Sequence, residues 1–292
     1  MQSFDLHMHT TYCDGNDTAE DMIRAAVGRG LNTVGLSGHS FTPHDTEYCM
    51  SRAGTEQYIS EVLALKGKYR DRSRVLLGIE MDYYADTDPS PYDYIIGSLH
   101  YMFAGQNWSD VDADADTLVN FAGKCFGGEM MPVAELYYDT VADIVRVTDC
   151  DIIGHFDLIT KFIEKFALNA DGSVVRTDGS IPEGAAPLLD TSDPCYVNAW
   201  KKAADRIFED CAARAAAGYV NRLERLGILA AGDKPVFEIN TGAIARGYRT
   251  TPYPAQDQID YIKSRGGVLI LTSDSHSAGN VGYRFEEFEA LL

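Results

Sequence analysis

The chain has 292 residues, of which 45% are hydrophobic, and a formal net charge of −19 at pH 7. This length is sufficient for one large α/β domain with a substantial core. The negative charge argues against a protein that lies along nucleic acid or an anionic membrane, because both require a positive surface. We therefore expect a small diffusible substrate and no nucleic-acid or membrane partner, while the oligomeric state stays undetermined.

The cysteine pattern and the absence of targeting features indicate in which cellular compartment the protein is located. The six cysteines are far apart and form no Cys-x-x-Cys motif, which favours free thiols over a disulfide framework or a thiolate zinc site. The sequence contains no recognisable signal peptide and no apolar run of membrane-spanning length. These features predict a cytoplasmic protein.

Buried strands alternate with helices along the chain. Strands are predicted at about 4–9, 33–39, 75–82, 94–100, 151–157, 236–240 and 268–274. Helices are predicted at about 18–30, 56–69, 116–126, 132–148, 197–226 and 256–265. Such alternation indicates parallel β/α units. Seven of these units predict a closed or nearly closed barrel, in which the active site lies at the C-terminal ends of the strands.

Residues 169–194 interrupt the alternation of strands and helices. They are rich in Gly, Ser, Asp and Pro, and a hairpin turn is predicted at Asp171-Gly172. Long loops without a clear pattern in compact domains are often functional. We predict a single domain over residues 1–292, with a lid or a surface insertion at about 169–194.

Side chains that bind metals collect at one end of the predicted barrel. Six of the seven strands end in His, Asp or Glu, and six of the seven histidines lie at these ends or in the turn just beyond. The resulting set is His7, His9, Asp14, His39, Glu80, His100, His155, Asp274 and His276. His7 and His9 are two residues apart in a strand and therefore point to the same side. Nine ligands exceed the capacity of one ion and predict a cluster of two or three divalent metals, of zinc, manganese or iron.

The motifs that carry these ligands resemble those of the polymerase-and-histidinol-phosphatase (PHP) domain superfamily, most closely its stand-alone histidinol-phosphatase branch. In chain order they are His7-x-His9, Asp14-Gly15, Ser37-Gly-His39, Gly78-Ile-Glu80, Gly97-Ser-Leu-His100, Gly154-His155-Phe-Asp157 and Ser273-Asp274-Ser-His276. They span nearly the entire chain. The resemblance implies a distorted (β/α)7 TIM-like barrel with a trinuclear metal site.

The resemblance also implies how the ligands are divided among three metals. The first metal is expected on His7, His9, Glu80 and Asp274. The second is expected to share Glu80 and to add His100 and His155, and the third to use Asp14, His39 and His276. Glu80 is then the bridging carboxylate, and Asp274 is expected to orient the attacking hydroxide or to carry its proton.

Three cations follow strand ends and are candidates for binding a substrate phosphate, the guanidinium groups by a bidentate contact: Lys161, Arg246 and Arg249. Arg246 resembles the arginine of the family's phosphate pocket. His44, the one histidine outside the ligand set, is assigned to loop structure, and Asn240 at the end of the sixth strand is expected to orient a ligand.

The resemblance implies a metal-dependent phosphomonoesterase that converts L-histidinol phosphate to histidinol and phosphate in histidine biosynthesis. Glu80, Asp274 and Arg246 are its predicted catalytic residues. Two alternatives keep the fold: a phosphoesterase that acts on nucleotides or nucleic-acid ends, and a metal-dependent amidohydrolase-like enzyme. Another alternative is a domain that keeps its metals for structure or regulation without turnover.

Overall fold

The structure is a computed structural model that describes residues 2–44 and 46–292. Within this part of the chain the strands are β1 Phe4–Asp5, β2 Thr33–Leu36, β3 Arg74–Asp82, β4 Tyr94–Ser98, β5 Tyr101–Ala104, β6 Asn107–Asp110, β7 Ile152–Ile153, β8 Phe166–Leu168, β9 Val174–Arg176, β10 Ala186–Pro187, β11 Val236–Asn240 and β12 Val268–Thr272. The α-helices are α1 Ala19–Gly28, α2 Arg52–Tyr69, α3 Ala115–Phe126, α4 Met131–Val141, α5 Ile144–Thr148, α6 Pro194–Ala216, α7 Arg222–Arg225, α8 Gly242–Ala245, α9 Gln256–Ser264 and α10 Phe285–Phe288.

Seven of these strands form one sheet in the order β1-β2-β3-β4-β7-β11-β12, and all neighbouring pairs are parallel. The sheet closes where the chain beyond β1 meets the chain beyond β12. There Met8 and Ser275 form a parallel bridge, and the His9 N–H donates to the Ser275 carbonyl at 2.8 Å. The predicted α/β TIM-like barrel is confirmed, and it is distorted because β1 and β7 have only two residues each.

A tyrosine fills the middle of the barrel. Tyr94 on β4 is fully buried, and its hydroxyl donates to the Leu6 carbonyl. A Cβ atom at Gly35 or Gly78 would lie 2.1 or 2.2 Å from a Tyr94 atom, so the ring requires glycine at both positions. The surrounding apolar cluster includes Leu6, Leu76, Ile96, Ile152, Val236 and Ile270. The barrel interior is therefore a packed core, and it lies below the C-terminal ends of the strands.

Several helices and strands are shorter than predicted. The predicted helix at about 132–148 is divided into α4 and α5, and the one at about 197–226 stops at Ala216. Gly218 then has a φ of 91°, a left-handed conformation that ends a helix. The predicted strands at 33–39 and 94–100 also end early, at Leu36 and Ser98. His39 still forms an isolated parallel bridge with Glu80 of β3.

An antiparallel hairpin that the sequence pattern did not predict, β5–β6, follows the fourth barrel strand directly. Its register pairs Tyr101 with Asp110, and both residues line the cavity described below. The hairpin is short, and Trp108 is 44% exposed, so it lacks the buried apolar run that marks the barrel strands. The His44 ring stacks on Trp108 with a centroid distance of 4.0 Å, which fits its assignment to loop structure.

The 169–194 segment belongs to a small second sheet. The turn at Asp171-Gly172 joins β8 and β9, which pair antiparallel as the predicted hairpin, and β10 adds to the other edge of β8. Strand β9 contacts α3. Among the described residues, none of those that line the cavity below comes from 169–194. Of the helices in the described part of the chain, none combines the length and apolar character that crossing a membrane requires.

Candidate metal centre

The first group of predicted ligands lies where β1, β3 and β12 end. His7 and His9 point to the same side, as their spacing predicts. Their Nε2 atoms lie 3.3 and 3.4 Å from Glu80 Oε2 and 3.7 and 3.1 Å from Asp274 Oδ1. Asp274 has a φ of 45°, a conformation uncommon for a residue with a side chain and often found at functional sites. Two imidazoles and two carboxylates therefore face one point.

The second group contacts the other oxygen of the same glutamate. His100 Nε2 and His155 Nε2 lie 3.3 and 2.9 Å from Glu80 Oε1. Glu80 is only 1% exposed, so burial raises its pKa, but the charges of His7 and His39 lower it well below the usual range. Glu80 thus stays ionised. It presents Oε2 to the first group and Oε1 to the second, which is the arrangement that a bridging ligand needs.

The third group surrounds Asp14. His276 Nε2 lies 2.9 Å from Asp14 Oδ2, and His39 Nε2 lies 3.7 Å from Asp14 Oδ1. His39 Nδ1 also lies 3.0 Å from Glu80 Oε2. His39 therefore connects the third group to Glu80, which the first two groups share.

Several buried atoms in these groups have no hydrogen-bond partner: His7 Nε2, His9 Nε2, Asp14 Oδ1 and Glu80 Oε2. Burying polar atoms without partners is costly. Ligand atoms within 4.8 Å of one another form three sets, namely His9, Asp14, His39 and His276; His7, His9 and Asp274; and His39, Glu80 and His100. Imidazole and carboxylate donors suit divalent transition metals, so these residues fit more than one such ion.

When no metal is bound, the carboxylates around the histidines raise the pKa of the histidine side chains. Burial by itself lowers the pKa of His7, but the charges of Glu238 and Glu80 raise it to about 10. Burial likewise lowers the pKa of His100, but the charge of Glu80 and the hydrogen bond with Asp82 raise it to about 9. Metal ions must therefore displace protons from these ligands.

We expect metal-free protein to lose stability as the pH rises. His7 and His100 bind protons more tightly in the folded state than at their unfolded pKa of about 6.5, so their contribution is complete below that pH and is lost as the pH rises through 9 to 10. The Tm of chelator-treated protein should fall by several degrees between about pH 6 and about pH 10. Metal-loaded protein should fall less, because metal replaces the protons. Scanning fluorimetry on both forms tests this, and a constant or rising Tm without metal would contradict it.

Behind the candidate ligands lies a buried glutamate, Glu238, for which the sequence predicts no role. Glu238 Oε2 lies 2.8 Å from His7 Nδ1, and Glu238 Oε1 accepts from the His155 backbone N–H at 2.6 Å. Thr272 and Asn240 donate to its two oxygens. By accepting a hydrogen from Nδ1, Glu238 leaves His7 Nε2 free to face the first group. The available signal was a carboxylate between two apolar residues, Phe237 and Ile239, in the middle of strand β11.

Two further side chains orient ligands in the same way. Asp82 Oδ2 lies 3.2 Å from His100 Nδ1 and accepts from the His100 backbone N–H at 3.0 Å. The Asn240 amide donates to Asp274 Oδ2 at 3.3 Å. These contacts hold a histidine and a carboxylate of the centre in fixed orientations.

The predicted phosphate-binding cations have different surroundings. Arg246 and Lys161 line a cavity of about 390 Å³ over the centre, a volume that suits a small molecule. Arg246 donates to Asp274 Oδ2 at 3.1 Å and contacts His276 Nδ1 at 2.9 Å. Arg249 is not among the lining residues. It is 5% exposed and lies 3.6 Å from Asp157 Oδ2, so this position does not support the assignment of Arg249 to substrate.

The known family whose model matches this chain is the PHP domain, over residues 5–186. The chain belongs to the PHP domain family. The matched region contains seven of the nine predicted ligands, from His7 to His155. Asp274 and His276 lie beyond it, and strand β12 brings them to the same PHP centre.

Full-length relatives of this PHP protein include a histidinol-phosphatase from Bacillus subtilis (strain 168), which is 24% identical over 99% of this chain and 98% of the relative. The fold is shared with a crystal structure of histidinol phosphate phosphatase from Lactococcus lactis complexed with zinc, L-histidinol and phosphate. That structure is 18% identical, with a TM-score of 0.62 over 99% of this chain and 92% of the other. The DNA polymerase/3′-5′ exonuclease PolX of Bacillus subtilis is 29% identical, but over only 34% of this chain and 18% of the relative.

Proposed function

We propose that this PHP protein is a metal-dependent phosphomonoesterase that hydrolyses L-histidinol phosphate to L-histidinol and phosphate in histidine biosynthesis. The observation that carries the phosphatase proposal is the placement of Arg246, whose guanidinium lies on the metal-ligand cluster and lines a cavity of small-molecule size. The choice of substrate is supported by relatives named histidinol-phosphatase that align over nearly the whole chain.

The proposed division of ligands follows the three groups. The first ion is assigned to His7, His9, Glu80 and Asp274, the second to Glu80, His100 and His155, and the third to Asp14, His39 and His276. Bound divalent ions would polarise the phosphoryl oxygens and lower the pKa of the attacking water.

The side chains would then divide the remaining work. The Arg246 guanidinium, whose buried Nε has no hydrogen-bond partner, would neutralise charge on the phosphoryl oxygens as it develops. Asp274, held between Arg246 and the Asn240 amide, would orient the attacking water. An arginine that contacts the phosphoryl oxygens would favour hydrolysis of a phosphate ester over hydrolysis of a C–N bond.

The proposed function is tested with metal-reconstituted protein and a panel of substrates. We expect roughly two to three ions per chain by elemental analysis, from the three sets of ligand atoms. Histidinol phosphate should have a kcat/KM at least about tenfold above that of nucleoside monophosphates or a 3′-phosphorylated oligonucleotide. Inorganic phosphate should inhibit competitively.

Three results would count against the proposal. A reproducible metal content at or below one ion in folded protein would contradict the multi-metal centre. A preference for nucleotides or oligonucleotide ends would favour the nucleic-acid branch of the family. Activity on amides without any phosphatase activity would favour the amidohydrolase-like alternative.

A further inference from the structure

Lys161 is the second cation of the cavity wall, and it is held differently from Arg246. The side chain is buried, yet it lines the cavity. Its Nζ donates to the Asp112 backbone carbonyl at 2.7 Å and to Asp112 Oδ2 at 3.0 Å. An ammonium group has three N–H bonds. Two are used by Asp112, so one remains for a ligand in the cavity.

Aromatic rings surround this ammonium group. Nζ lies 4.8 Å from the centroid of the Tyr248 ring and 5.5 Å from that of Phe162. Tyr248 also lines the cavity. Both rings attract the ammonium group by cation–π contact, and together with the two hydrogen bonds to Asp112 they hold Nζ at the cavity wall.

Lys161 and Arg246 have different partners in the cavity wall. Arg246 contacts Asp274 and His276, which belong to the first and third groups. Lys161 follows His155 in the chain, and its partner Asp112 interacts electrostatically with His100 and His155, the histidines of the second group. The cavity thus offers a phosphate ester two cations with different partners, Arg246 on Asp274 and Lys161 on Asp112.

Hydrolysis of an alkyl phosphate leaves an alkoxide, which is a poor leaving group unless it receives a proton. Arginine cannot supply that proton, because it is not deprotonated in proteins, whereas a lysine ammonium can. We propose that Lys161 is the general acid that protonates the leaving oxygen, and that Asp112 is its positioning residue. This inference rests on the proposed phosphatase function.

The proposed step balances as follows. The oxygen of the attacking water forms a bond to phosphorus while the bond from phosphorus to the leaving oxygen breaks, and its electron pair goes to that oxygen. A proton moves from Lys161 Nζ to the leaving oxygen and gives the alcohol. The attacking water releases one proton, and the neutral lysine regains one from solvent, so no proton is gained or lost overall.

Two phosphate esters separate this role from simple phosphate binding. In p-nitrophenyl phosphate the leaving phenolate needs no proton, whereas the alkoxide of histidinol phosphate does. We expect Lys161→Ala to lower kcat/KM about 100-fold for histidinol phosphate and less than about fivefold for the aryl ester. Lys161→Arg keeps the charge but cannot donate the proton, so it should show the same selective loss.

Phosphate binding supplies a measurement that does not depend on turnover. Inorganic phosphate has no leaving group, so its affinity for metal-loaded Lys161→Arg, measured by calorimetry, should match that of the parent. In an active parent, equal losses on both esters, no loss on either, or rescue by arginine would overturn the role of Lys161 alone. A parent that hydrolyses neither ester would overturn the phosphatase function, and the role of Lys161 with it.

Discussion

Replacing Glu80 with glutamine should lower kcat by about four orders of magnitude, a loss typical of a residue on which the whole catalytic unit depends. Glu80 Oε1 faces His100 and His155, and Oε2 faces His7 and His9. Glutamine keeps the shape of the side chain but replaces one of these oxygens with an NH2 group, which donates hydrogen bonds and cannot bind a metal ion. One group would lose its shared ligand, and the ion at that site should be lost during dialysis.

Asp14→Asn is the matched comparison, because it also turns a carboxylate into an amide. Asp14 is assigned to the third ion alone, although its Oδ1 also lies 3.3 Å from His9 Nδ1. Its side chain is 23% exposed, so we expect a loss of about 10- to 100-fold. Glu287→Gln, at a position on α10 whose side chain is 53% exposed, controls for the loss of a charge elsewhere. Turnover and metal content are measured on folded protein for all three. Equal losses in Glu80→Gln and Asp14→Asn would mean that Glu80 does not bridge two ions.

Replacing Arg246 with alanine should lower kcat/KM about 10³-fold, as when a charge-stabilising donor is removed from a transition state. Arg246 contacts Asp274 and also lines the cavity, so its guanidinium can serve both the carboxylate and a phosphoryl oxygen. Lysine should restore only part of the loss, since a single ammonium cannot make the forked contact. Inorganic phosphate should inhibit the alanine variant much less than the parent.

Arg24→Ala is the control for Arg246. Arg24 lies on α1, pairs with Glu20, and has a side chain that is 63% exposed, so its removal should leave turnover and phosphate inhibition unchanged. If Arg246→Ala also leaves both unchanged, the phosphate site must be formed by other residues, with Lys161 the next to examine. Comparing the inhibition constants of the two variants decides between these outcomes.

The barrel and the clustering of the nine candidate ligands at one pole could be predicted because each depends on a local pattern. A buried strand is visible as an apolar run, and parallel connections place the ends of all such strands at one pole. A histidine or carboxylate just after such a run, such as His39 or His155, must then lie at that pole. Neither step requires knowledge of how the helices pack.

What the sequence did not predict depends on contacts between distant residues. Glu238 lies in the middle of β11, and its role appears only when His7 and His155 are placed beside it. Arg249 follows the same strand as Arg246, yet its side chain turns to Asp157. The β5–β6 hairpin is too short to show a clear alternation. In each case the deciding partner lies far away in the sequence.

The closure of the barrel by its first and last strands has a consequence for biosynthesis. His7 and His9 leave the ribosome early, whereas Asp274 and His276 emerge only after β12, and the Met8–Ser275 bridge joins the two segments. Synthesis proceeds from the N-terminus, so a nascent chain cannot assemble the first or third ligand group. Contacts between such distant residues form slowly. The first and third groups should therefore be completed only after β12 has been synthesised, whereas Glu80, His100 and His155 of the second group are all present earlier.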